Sequence, residues 1–146
     1  IGAEKLAFVK EMGADYALDV GEVEKFLRDK WGGASGSVVF TPKVAGFNLG
    51  LKLLSRGGVF VGVGMPAVNE GPIEITQMEM FLKEMLIMPS AVGTVADMRE
   101  LVQMVADGKV KTHVSRMASL SEIHKIFEEL EQGKYPGRAV ITDLAK

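Results

Sequence analysis

The chain has 146 residues, 47% of them hydrophobic, which is enough to bury a core of about one domain. Its formal net charge of −2, with lysines and arginines scattered among the acids, leaves no basic stripe for a nucleic-acid backbone. It has no cysteine, which excludes a disulfide framework or thiolate metal ligands within the chain and leaves a reducing cytoplasm as the default location. No apolar run approaches the ~20 residues of a membrane span, and the first residues lack the basic-then-apolar pattern of a secretion signal.

The chain opens with IGAEKLAFVKEMGAD, which enters an amphipathic helix without an initiating methionine, as expected of a segment of a longer protein. Leu6, Val9 and Met12 form its stripe and Gly13 suits the position after its end; YALDV, residues 16–20, is an expected short strand. A second helix over EVEKFLRDKW leads through GGASGS to the apolar VVF, and a third helix is expected over residues 44–54. Gly46 and Gly50 bare one face of that helix for close approach to a sheet, at a cost of roughly 1 kcal/mol each against alanine. GGVFVGV is the next strand, PIEI a short one, TQMEMFLKE a helix and MLIMPSAV a further strand, all apolar enough to be buried on both faces. The alternation fits the α/β class, with a doubly wound parallel sheet.

After Thr94 the pattern changes to an α+β extension. Thr94 and Asp97 form a capping pair, Val95, Met98, Val102 and Val105 share one helical face, and Gly108 ends it. HVSRM reads as a strand. Ser119 and Glu122 make a capping box for a helix whose core stripe is Ile123, Ile126, Phe127 and Leu130; Gly133 stops it and GRAVITDL is the final strand. Nine methionines, four of them between Met78 and Met88, suit gap-filling in a core or subunit interface.

Residues 62–67, GVGMPA, satisfy the G-x-G-x-x-G/A spacing of a dinucleotide-binding turn, but that turn must open into a helix. Pro66, Asn69, Gly71 and Pro72 are turn chemistry instead, so this is not the pyrophosphate site. His113 and His124 have no partner at metal-ligand spacing and read as surface residues. No G-x-S-x-G elbow is present, which leaves hydrolase chemistry without support. Glu128, Glu129 and Glu131 fall on solvated helix faces. Arg138, after YPG at the entry to the last strand, reads equally as a cation aimed into a cleft or a solvated strand end. No catalytic or metal-ligating set is assigned within the chain.

The runs EKLAFVKEMGADYALD, GGVFVGVGMP, MPSAVGTVADMRELVQMVADGKVK and LEQGKYPGRAVITD, in that order, resemble the C-terminal part of the medium-chain, zinc-containing alcohol dehydrogenases, most of all the tetrameric yeast-type and bacterial branch. The resemblance covers residue 1 to about residue 143. It implies a partial Rossmann-type sheet: residues 1–92 as the second part of an NAD-binding domain and 93–146 as a segment returning to the catalytic domain. The first two Rossmann strands, the glycine fingerprint, the zinc ligands and the proton relay would lie outside this chain, so the segment alone is expected to be inactive.

By the same resemblance, Val63, Gly64 and Met65 line the nicotinamide pocket, with glycine at 62 and 64 because a Cβ would occupy ring space. Ser90, Ala91 and Val92 present main-chain groups to the carboxamide, Lys5 approaches the adenosine ribose, and Arg138 approaches the pyrophosphate. The implied parent moves hydride between NAD and a small alcohol, aldehyde or ketone, with zinc held elsewhere. The opening IGAE carries no cation before Lys5 and an acid at Glu4, which predicts NAD rather than NADP. Residues 73–75 are an expected edge strand, with Ile73 and Ile75 on one side, that pairs across a two-fold axis in a homo-oligomer. A zinc-free quinone or enoyl reductase of the same superfamily and an inactive binding or assembly module are the alternatives. FTPK, residues 40–43, is not placed by the resemblance.

Overall fold

The structure, a computed structural model, describes residues 2–144. The described residues divide into two compact units, Tyr16–Val92 and Gly2–Asp15 with residues 93–144. The first helix therefore groups with the C-terminal half rather than with the sheet that follows it in sequence. No helix among the described residues is long and apolar enough to cross a membrane.

The first unit contains α2 (Val20–Trp31), β1 (Ala34–Val39), α3 (Val44–Lys52), β2 (Leu54–Gly62), α4 (Gln77–Lys83) and β3 (Leu86–Pro89). The three strands form one parallel sheet in the order β1-β2-β3. Each pair is joined by a helix, as a parallel crossover requires. Val39, Phe47, Leu51, Leu54 and Phe60 make its core, with Ile75 and Met85 packed against it. Helix α3 lies close on the sheet: a Cβ on Gly50 would stand 2.7 Å from Ser37 Oγ and 2.7 Å from Val39 Cγ2. The bare face expected from Gly46 and Gly50 is thus used for contact with β1.

Two expected strands do not form. YALDV is irregular over residues 16–19, and Asp19 caps α2 by accepting from Gly21 N–H at 3.3 Å. A strand needs a ladder partner, and none of the described strands pairs with this segment. PIEI is irregular too, which corrects the edge strand expected at residues 73–75. The Glu74 N–H donates to Asn48 Oδ1 at 3.0 Å and Ile75 packs on the core of its own unit, while Ile73 stays exposed. Burial on both faces also fails for β3, whose four residues are all exposed.

The second unit contains α1 (Ala3–Glu11), α5 (Val95–Ala106), β4 (Val114–Ser119), α6 (Ile123–Glu131) and β5 (Arg138–Asp143). Strands β4 and β5 pair in parallel across α6. Thr94 and Asp97 close a reciprocal capping box at α5. Arg116 on β4 reaches Glu122 at 3.0 Å and Glu129 at 3.2 Å, tying the strand to α6 and the turn before it. Of the expected α6 stripe Ile126 is buried, whereas Phe127 and Leu130 are exposed. Val95, Met98 and Val102 of α5 are likewise open to solvent.

Gly50 gives a test of sign. Helix propensity alone favours alanine over glycine by roughly 1 kcal/mol, but overpacking at these contacts costs about 1–3 kcal/mol. Gly50→Ala is therefore expected to lower the urea midpoint; a raised midpoint would show that α3 does not need this close approach.

Candidate functional site at the sheet's carboxyl end

Parallel register brings the ends of the three strands side by side, with Val39 opposite Gly62 and Gly62 opposite Pro89. In open α/β sheets, ligands bind outside the carboxyl ends of the strands. Two main-chain ties extend the ladder past the strands. The N–H groups of Val63 and Gly64 both donate to the Val39 carbonyl at 2.9 Å, and the Ser90 N–H donates to the Gly62 carbonyl at 2.8 Å. The structure thus brings together six of the eight expected site residues: Val63, Gly64 and Met65 after β2, and Ser90, Ala91 and Val92 after β3.

Their surfaces are open and partly apolar. Met65 is 86% and Val92 100% exposed, and Val63 is 38% exposed. Val92 also has a φ of 35°, a left-handed conformation that a β-branched residue rarely adopts. Strain of this kind persists where the surroundings impose it and is enriched at ligand-contacting segments. The Ser90 N–H is already engaged by Gly62, so that residue has its carbonyl and side chain left to offer a ligand.

The glycines also have a reason in the protein's own packing. A Cβ on Gly64 would stand 2.2 Å from the Thr41 carbonyl oxygen and 2.8 Å from that of Phe40; one on Gly62 would stand 2.9 Å from Phe47 Cε1. The space that a side chain would need is filled by the protein's own backbone and core. FTPK thereby finds its place as the turn between β1 and α3, against which the β2 tip rests. Nothing local in FTPK announces that contact.

Lys5 and Arg138 lie in the second unit. Lys5 lines a small hollow of about 60 Å³ with Glu4, Gly133, Lys134, Tyr135 and Pro136. The Tyr135 hydroxyl is buried with no hydrogen-bond partner among the described residues. Arg138 begins β5, exposed, its N–H donating to the His113 carbonyl at 3.2 Å. His113 and His124 are both exposed, and the His113 ring packs edge-on against Phe8 at 4.6 Å between centroids. Among the described residues, no group of three or more His, Cys, Asp or Glu side chains could hold a metal ion. Two open hollows of the first unit, about 580 and 720 Å³, are lined by other residues: Asn48, Ile73, Ile75 and Met85 among the former, Leu18, Phe26 and Lys30 among the latter.

The family model of zinc-binding dehydrogenases matches residues 1–107. The chain is 36% identical over 143 residues to an alcohol dehydrogenase of Moraxella sp. strain TAE123, and 35% identical over 143 residues to one of Geobacillus stearothermophilus. Both matches cover 97% of this chain and 41% of the relative, so the chain spans well under half the length of these proteins. The crystal structure of an alcohol dehydrogenase from the archaeon Aeropyrum pernix superposes with a TM-score of 0.85 at 29% identity, over 97% of this chain and 40% of that one. The match of the family model over most of the chain, together with a parallel α/β sheet of the same fold, leads to one conclusion: the chain belongs to the zinc-binding dehydrogenase family.

Proposed function

We propose that this chain is the nicotinamide-facing part of an NAD-dependent zinc alcohol dehydrogenase that interconverts small alcohols with aldehydes or ketones. The observation that carries the reading is the pair of open tips, residues 63–65 and 90–92, bound to each other through Gly62 and Ser90 at the carboxyl end of a parallel sheet. Their relatives' shared name, alcohol dehydrogenase, supplies the reaction class.

The residues present fit the nicotinamide half of the cofactor. Val63, Met65 and Val92 offer exposed apolar surface to a planar ring, and the Ser90 carbonyl with the main chain of Ala91 and Val92 is left to meet an amide. The bound cofactor would accept or return the hydride, while these groups orient it. Lys5, which lines one hollow with Tyr135, is assigned to the adenosine ribose, and Arg138 to the pyrophosphate. Among the described residues no donor set fits zinc; in this reading the metal and its polarising role come from the part of the parent outside this chain.

The finer assignments belong to the same proposal: residues 1–92 and 93–146 as portions of a cofactor and a catalytic domain, a cytoplasmic location, and a homo-oligomer. NAD is preferred over NADP because Gly2, Ala3 and Glu4 place no cation before Lys5; Ile1, which opens that stretch, lies outside the described residues.

In the full-length parent, kcat/KM is expected to favour NAD over NADP and to collapse on removal of zinc by a chelator. Equal or NADP-favouring values would contradict the cofactor assignment, and activity that survives chelation would point to a zinc-free reductase. Gly64→Ala must displace the tip from the Thr41 carbonyl, and a shift of an ångström in a positioned reactant costs up to about 10²-fold in rate. A loss of that order in kcat/KM for NAD is expected; unchanged kinetics would remove residues 63–65 from the site.

A further inference from the structure

The loop after β2 is anchored at both ends, and its far anchor is a carboxylate. At the near end Val63 and Gly64 hang from the Val39 carbonyl. At the far end a single 3-10 turn, Val68–Glu70, delivers Glu70 to the start of α3. There Glu70 Oε2 accepts from the Val44 N–H at 3.0 Å and Oε1 from Lys43 Nζ at 2.5 Å. Gly71, with a φ of 87°, then turns the chain away.

Helix α3 has no cap of its own. Lys43 occupies its N-cap position and makes no capping hydrogen bond, since its side chain has no acceptor. Glu70 fills that role from 26 residues downstream, and its charge meets the positive end of the helix dipole. The Lys43 ammonium and then the Val44 N–H hold the Glu70 carboxyl below its ordinary range, so the anchor is charged at neutral pH. Its side chain is 22% exposed, against 68% for Lys43. Between the anchors the chain forms an arch on which Met65 and Val68 stand open to solvent.

We infer that Glu70 is a positioning residue for the cofactor: by clamping the arch to the start of α3 it fixes where Met65 and Val63 meet the nicotinamide ring. The inference rests on the function proposed above. In this role Glu70 acts only through the loop, by its bonds to Lys43 and Val44. A purely structural cap would affect every ligand of the fold alike, whereas the clamp concerns one half of the cofactor.

ADP-ribose, which has the pyrophosphate and both riboses but no nicotinamide ring, separates the two. In the full-length parent, calorimetric titration is expected to show Glu70→Ala weakening NADH by about tenfold through misplacement of the ring contacts, with ADP-ribose affinity unchanged. Glu70→Gln keeps an oxygen for the Val44 N–H but loses the ion pair with Lys43, and should fall between wild type and Glu70→Ala. It also carries the comparison if Glu70→Ala does not fold. NADH and ADP-ribose weakened in equal proportion, or neither weakened, overturns the clamp while leaving the proposed function standing. A wild-type parent that binds neither ligand overturns the proposed function and this inference with it.

Discussion

One carbonyl, that of Val39, decides where the carboxyl end of this sheet finishes. It closes the β1–β2 ladder and then takes a second donor, so that both Val63 and Gly64 are drawn over the end of β1. That approach is possible only because residue 64 has no side chain, the space being filled by the Thr41 backbone. The same end of β1 receives α3, whose glycine face presses on Val39. Helix, strand and loop are therefore mutually constrained at one point, and the tip of β3 joins through the Ser90 N–H. A surface presented from such a junction is stiff, which is what orienting a reactive ring demands.

The remainder of the surface explains why the fold buries so little. Only Val39, Phe47, Leu51, Leu54, Phe60, Ala118 and Ile126 are buried hydrophobics among the described residues. In the first unit Phe81 and Leu82 of α4 and Leu86, Ile87 and Met88 of β3 are exposed; in the second, Val95, Met98 and Val102 of α5 are. Apolar faces of this extent mark surfaces that other chain covers. Parallel sheets are normally covered on both faces, and β3 here is covered on neither. In the reading proposed here the cover comes from the rest of the parent, since the chain spans 41% of its curated relatives.

Local signals in the sequence gave rise to the features that needed no distant partner. The boxes at Thr94 and Ser119 are short-range: α5 begins directly after Thr94, whereas Ser119 caps the 3-10 turn Leu120–Glu122 that leads into α6. Thr76 and Glu79 carry the same T-x-x-E signature and form a complete box at α4, a signal equally open to reading and not used. YALDV and PIEI have strand composition, yet composition cannot supply a ladder, and each takes whatever bonds its own unit offers. Thr41 and Glu70 were invisible because their roles depend on residues 23 and 26 positions away, Gly64 and Val44. The motifs that resemble the dehydrogenases pointed to the tips of β2 and β3, while the crowding of the glycines there by the Thr41 backbone and Phe47 needed coordinates.

The central claim is that residues 63–65 and 90–92 face the nicotinamide of a bound cofactor. Hydrogen–deuterium exchange on the full-length parent, with and without saturating NADH, tests it directly, because ring contact and water exclusion slow exchange at the amides concerned. The account predicts slower exchange in peptides covering Met65, Ala91 and Val92 when NADH is bound. Exchange there that is unchanged by NADH, with protection confined to other segments, would contradict it.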